Sequence, residues 1–188
     1  MSAAVKARGL RPDYLFSRAE DISLDWLRTR GVRGVLIDID NTITRWELHA
    51  VPESELAWLN LLRDAGLGIR FLSNGLPHKL AAVIQQTGLE HVDGRPMKPL
   101  PHAFRRGLRE LALPAEQVLM IGDSVFTDIW GANRVGLWTC LVDPLSPVDF
   151  FGTKFWRMLE GLLGARQPVQ PAGDYRREMQ QDADRALD

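Results

Sequence analysis

The sequence predicts a doubly wound α/β fold built on a parallel sheet. Three observations predict it. Four short apolar runs recur along the chain, helix-like segments lie between them, and a polar or acidic residue stands where each of the first three runs ends. Residues 33–38 (RGVLID) form the first run and end in Asp38. Residues 69–73 (IRFLS) form the second and end in Ser73, residues 118–122 (VLMIG) form the third with Asp123 just beyond, and residues 137–142 (LWTCLV) form the fourth. Unbroken apolar runs of this length, bounded by turn residues, read as strands buried on both faces.

The intervening segments read as helices. Residues 53–65 place Leu56, Leu59 and Leu62 on one face. Residues 77–87 start at Pro77, a favoured first-turn residue, and Gly88 ends them. Residues 101–112 bring Phe104, Leu108 and Leu111 together, and residues 127–134 stop before Gly136. This β-α alternation implies parallel strands whose C-terminal ends share one edge, where ligands bind in such sheets. Residues 1–30 read as one or two helices packed on the sheet through Tyr14, Leu15, Phe16, Leu24, Trp26 and Leu27. Residues 165–188, rich in Gln, Arg, Asp and Pro, read as a flexible polar tail after a single domain at 1–164.

Bulk properties narrow the function. The 188 residues are 45% hydrophobic and 25% charged, ordinary for a globular domain, and the net charge of −1 gives no field that selects nucleic acid. The single cysteine, Cys140, excludes an internal disulfide and a cysteine zinc site, and it reads as core. No window approaches the roughly 20 apolar residues of a membrane span. A cytoplasmic protein is expected, with any membrane contact peripheral, at the inner face.

The polar groups at the strand ends carry the chemistry. Asp38 is followed by Asp40, Asn41 and Thr42, Ser73 by Asn74, and Asp123 by Ser124, Thr127 and Asp128, while Lys98 precedes Pro99. Taken singly, each is a common turn, cap or surface residue. Gathered at one edge, the carboxylates repel one another, and a Mg²⁺ ion is a physical reason to collect them. A carboxylate facing a phosphate dianion meets the same problem, because each unit-charge pair at ~4 Å costs about 4 kcal/mol at an effective dielectric near 20. Phosphoryl transfer therefore needs a metal and a cation beside the nucleophile. Asp38, Asp123 and the backbone carbonyl of Asp40 suit the metal and Lys98 the cation. Asp40 suits proton transfer to the leaving oxygen and from water, and the intermediate is an aspartyl phosphate on Asp38.

The series D-x-D-N-T, Ser-Asn, Lys-Pro and G-D-x-x-x-T-D, in this order, resembles the haloacid dehalogenase (HAD) superfamily of phosphatases. Gaps of 35, 25 and 25 residues separate Asp38, Ser73, Lys98 and Asp123. The resemblance implies a Rossmann-like three-layer domain. It makes Asp38 the nucleophile, Asp40 the acid/base, Lys98 the charge stabiliser and Asp123 a Mg²⁺ ligand supported by Asp128. Thr42, Ser73 and Asn74 are expected to bind the phosphoryl group. R-P-D-Y, N-T-x-x-x-W ending at Trp46, T-D-I-W-G-A-N-R and F-F-G-T-K-F-W-R-M-L-E are similar to the YqeG-type (HAD IIIA-like) branch, across about residues 10–163. That branch is related to phosphatases of phosphatidylglycerophosphate, so the implied substrate is a lipid phosphate. A soluble nucleotide or sugar phosphate is the alternative. Another is a regulatory protein partnering a GTPase. A receiver domain fits less well, since it lacks the Asp two residues after its phosphoacceptor.

Larger relatives cover the site with a cap domain. Here 33 residues separate Asp40 from Ser73, enough for a turn and one helix, so no large cap is expected. An open site suits a bulky substrate. In the loop Ile43–Pro52, Arg45 and Trp46 suit substrate contact, while Trp46 suits packing on the body equally, and His49 reads as a bystander. Residues 149–164 suit docking on the sheet or lying at a bilayer interface. Lys6, Arg8, Arg11 and Arg18 could assist near anionic lipid.

Overall fold

A computed structural model describes residues 9–45, 50–94 and 97–146. Six strands form one parallel sheet: β1 (Tyr14–Phe16), β2 (Gly34–Ile37), β3 (Gly68–Phe71), β4 (Glu90–His91), β5 (Val118–Gly122) and β6 (Trp138–Val142). Their spatial order is β1-β6-β5-β2-β3-β4. After β2 the chain builds outward on one side through β3 and β4, then returns to build the other side through β5 and β6. The order therefore reverses between β2 and β5, whose residues pair from Gly34↔Val118 to Ile37↔Ile121. Such a switch point leaves a crevice outside the strands' C-terminal ends.

The four expected strands and the helices α2 (Glu53–Asp64), α3 (Pro77–Thr87) and α4 (Pro101–Leu111) are all present. Alternation along the central strands sorts the core onto two faces. Val35, Ile37, Leu119 and Ile121 meet Trp58, Leu59 and Leu62 of α2, Val83 of α3, and Trp26 and Leu27 of α1 (Leu24–Thr29). Leu36, Val118 and Met120 meet Ala103 and Phe104 of α4 and Ala132 of α5 (Gly131–Asn133) on the other face. The result is a three-layer sandwich. Cys140 is buried, as expected, and burial pushes its thiol pKa up. No helix among the described residues is long and apolar enough to cross a membrane.

Three elements differ from expectation. Tyr14–Phe16 is not helical; it is a strand pairing with β6 from Tyr14↔Cys140 to Phe16↔Val142. Aromatic residues suit an extended, half-buried backbone, and Tyr14 and Phe16 each make a T-shaped contact with the Trp26 ring. The helix expected at 127–134 is instead a π-helical segment, Val125–Trp130, continued by α5. On α2, Leu56 is only partly buried, whereas Trp58 is in the core and donates its indole N–H to the Ile22 carbonyl at 2.8 Å. Trp46, His49 and residues 147–188 lie outside the described residues, and with them the membrane-facing reading of 149–164 and the polar tail.

The N-terminal strand is held by a buried polar latch. Asp13 donates its N–H to Thr139 Oγ1 at 3.0 Å and accepts the Thr139 N–H at Oδ2 at 3.0 Å. Asn133 Nδ2 donates to the carbonyls of Gly9 and Arg11 at 3.0 and 2.9 Å. Truncating the Asp13 side chain strands the buried Thr139 N–H. Asp13→Ala is therefore expected to destabilise the fold by about 1–3 kcal/mol, measured by urea unfolding with an unchanged m-value. A loss within error of zero would remove the latch from the account of stability.

Candidate active site

Asp38 is the first residue beyond β2, and its N–H continues the pairing with β5 by donating to the Ile121 carbonyl at 2.9 Å. The chain then folds into a tight turn. Thr42, Ile43 and Thr44 all donate to the Ile39 carbonyl, and Asn41 takes the left-handed conformation at φ 60°. Asparagine tolerates that region better than most residues. Thr42 is buried inside this turn, and its hydroxyl has no hydrogen-bond partner among the described residues.

Asp123 follows β5, and the π-helical segment beyond it carries Asp128. Single-turn π insertions recur at functional sites. Asp128 is fully buried, accepts the Ser124 N–H at Oδ2 at 3.1 Å, and receives the Lys98 ammonium at Oδ1 at 2.6 Å. Gly122 makes room for it, because a Cβ there would lie 2.4 Å from Asp128 Oδ2. Lys98 reaches back from the loop before α4 and also contacts Asp38 Oδ1 at 2.7 Å. One ammonium thus bridges the residue after β2 and the segment after β5.

Asn74 braces that arrangement. Its Nδ2 donates to the Lys98 carbonyl and its Oδ1 accepts the Lys98 N–H, both at 2.9 Å. The two ends of its amide are thus spent on Lys98. Ser73 is buried, and its Oγ accepts the Gly75 N–H at 2.9 Å.

The electrostatics are those of a crowded anionic pocket. One carboxylate oxygen from each of Asp38, Asp123 and Asp128 lies within 4.8 Å of the others, and all three residues are buried. Burial, then the charges of Asp128 and Asp40, push the Asp38 pKa up to about 7, although Lys98 works to lower it. For Lys98, burial works downward, but the carboxylates of Asp128 and Asp38 outweigh it and hold the ammonium protonated well above its ordinary range. Three clustered hard oxygen donors with one organic cation fit a small divalent ion such as Mg²⁺.

Asp40 stands apart from that trio. Its carboxylate meets Lys79 of α3, with Nζ 2.5 Å from Oδ1 in an ionic contact whose angles lie outside hydrogen-bond geometry. Lys79 is a residue of the site that reading the motifs missed. The structure reveals it: Lys79, Val83 and Thr87 recur every four residues on the buried stripe of α3, and a lysine on such a stripe needs a partner.

With this geometry in view, the relatives are informative. Residues 45–136 match the family described as haloacid dehalogenase-like hydrolase. The probable phosphatase YqeG of Bacillus subtilis is 30% identical over 149 residues, 79% of this chain and 86% of that protein. The chloroplastic phosphatidylglycerophosphate phosphatase 1 of Chlamydomonas reinhardtii is 32% identical over 156 residues; the match covers 76% of this chain but 57% of that protein. A solved crystal structure shares the fold at a TM-score of 0.55 and 15% identity, covering 83% of this chain and 97% of its own. The chain belongs to the haloacid dehalogenase-like hydrolases. Within that family it is a phosphatase, similar to the YqeG-type branch.

Proposed function

We propose that this phosphatase is a Mg²⁺-dependent phosphomonoester hydrolase that works through an aspartyl phosphate on Asp38 and acts on a lipid phosphate of the phosphatidylglycerophosphate kind. The observation that carries the reaction is the convergence of Asp38, Asp123 and Asp128 around Lys98. Asp38, Asp123, Asp128 and the backbone of Asp40 would hold the cation, which supplies charge compensation for the carboxylates and the phosphoryl oxygens.

The side chains divide the remaining work. An Asp38 carboxylate oxygen forms the bond to phosphorus as the bond to the leaving oxygen breaks. Asp40 gives its proton to that oxygen, then takes one from the water that hydrolyses the aspartyl phosphate. Lys98 holds Asp38 ionised and faces the charge that builds during transfer. Ser73, with the amides of the turn after Asp38, receives phosphoryl oxygens, and Asn74 keeps Lys98 in place beside them.

Two observations support a lipid phosphate. The intervals Asp40–Ser73 and Ser73–Lys98 hold single helices, α2 and α3, which leaves the crevice without a separate covering domain among the described residues. Beside the site, Leu76 follows the Ser73 loop, and Met97 and Leu100 flank Lys98; all three are exposed. Exposed apolar side chains this close along the chain to Ser73 and Lys98 suit a head group presented at an apolar surface.

The test is phosphate release with Mg²⁺ across phosphatidylglycerophosphate vesicles, nucleotides, sugar phosphates and phosphopeptides. The lipid arm is expected to give the highest kcat/KM, and a soluble substrate that exceeds it would replace the substrate assignment. Asp40→Asn is expected to slow turnover by about 10²–10⁴-fold and to accumulate acid-stable, hydroxylamine-labile phosphoprotein. Absence of any labelled protein after acid quench would remove Asp40 from the role of acid/base.

A further inference from the structure

A second buried ammonium serves this site. Lys79 is 6% exposed, on the face of α3 that packs into the core. Burying an ammonium costs several kcal/mol after relaxation, and an apolar side chain would fill the same stripe without that cost. The cation must therefore be placed for its partners, and those partners bracket the turn after the nucleophile. Nζ contacts Asp40 Oδ1 at 2.5 Å and donates to the Arg45 carbonyl at 3.1 Å. One side chain thus clamps the turn at both ends.

The other oxygen of Asp40 faces elsewhere. A Cβ on Gly75 would lie 2.5 Å from Asp40 Oδ2 and 3.0 Å from Ser73 Oγ, so Oδ2 and Ser73 share the space above Gly75. The carboxyl is held from behind at Oδ1 and presents Oδ2 beside Ser73. Rotation about its terminal torsion, which is soft in a free aspartate, would break the Lys79 contact.

We infer that Lys79 is a positioning residue for proton transfer, fixing the Asp40 carboxyl so that Oδ2 faces the leaving oxygen of a phosphate bound at Ser73. This rests on the acid/base reading of Asp40 given above. Displacing a reacting group by about 1 Å can cost on the order of 10² in rate, and that loss falls only on substrates whose leaving group needs the proton. An alkoxide needs it; p-nitrophenolate, a stable anion, hardly does.

The test compares kcat/KM for an alkyl phosphate turned over in the substrate panel with that for p-nitrophenyl phosphate. This constant reports the steps through phosphoenzyme formation. Lys79→Met is expected to lower the alkyl value by about 10–100-fold, and the aryl value by less than about threefold. Lys79→Arg, which restores the cation, is expected to recover most of the alkyl loss. Asp40→Asn combined with Lys79→Met is expected to lose no more than Asp40→Asn alone. Equal losses on both substrates, or additive losses in the double variant, would overturn the inference. If Lys79→Met fails the circular-dichroism check for folding, Lys79→Gln carries the same comparison. The two readings fail differently. Asp40→Asn that spares neither substrate class removes the acid/base reading and this inference with it; Asp40→Asn that discriminates while Lys79→Met does not removes this inference alone.

Discussion

Asp38→Asn protein is expected to lose phosphate release by at least about a thousandfold, because an amide cannot form the acyl phosphate. The substitution keeps the side chain's shape, and Lys98 keeps its 2.6 Å contact with Asp128. The protein should therefore remain folded, which separates chemical loss from structural loss. Phosphate release at saturating Mg²⁺, with unfolding followed in parallel, reads both. Turnover within tenfold of the parent would mean that the nucleophile lies elsewhere, and the carboxylate trio would then need another purpose.

The second large effect falls on stability. Lys98→Met removes the ammonium shared by Asp38 and Asp128 and leaves both carboxylates buried without it. Removing one partner of a buried ion pair costs about 3–5 kcal/mol, and that loss is expected in metal-free protein by denaturant unfolding. Its pH dependence follows from Asp38. The pKa of this group in the fold is raised from 3.8 to about 7, so its contribution to stability is full below its unfolded value and is lost as pH rises through about 7. Without Lys98, which pulls Asp38 downward, the ionised form becomes costlier still. The gap between variant and parent should therefore be wider at alkaline than at mildly acidic pH. Added Mg²⁺ should stabilise the variant more than the parent, since it then meets carboxylates lacking their resident cation. A gap that narrows as pH rises would contradict the assignment of the pair.

Two acids of the site were legible in the sequence because they follow directly from strand ends. Asp38 and Asp123 terminate β2 and β5, and a parallel sheet brings such termini to one edge whatever the loops do. Lys98 was legible from its place in a motif series. Lys79 was not, because its role depends on which face of α3 turns inward and on a turn 34 residues earlier. Asn74 was read as a phosphoryl ligand; that its amide also spans 24 residues to hold the Lys98 backbone is a pairing no local pattern announces. β1 was missed because three aromatic and aliphatic residues satisfy either a helix or a strand, and its partner in the sheet lies 126 residues further along the chain. Glu55, fully buried on α2, was hidden for a related reason: its cation, Arg18 at 2.7 Å, comes from the segment between β1 and α1.

The late pairing of β1 with β6 bears on how the protein reaches this shape during synthesis. Of the described strands, the first to leave the ribosome is among the last that can find its place, since its neighbour must be made before any rung of that ladder closes. Until then its aromatic side chains have no sheet edge to cover, and once β6 docks against β5, its outer row of amides and carbonyls stays available to any other extended chain. Trimming the chain past Phe16 would remove β1 and make that transient opening permanent, and the cost would appear as self-association rather than as loss of catalysis.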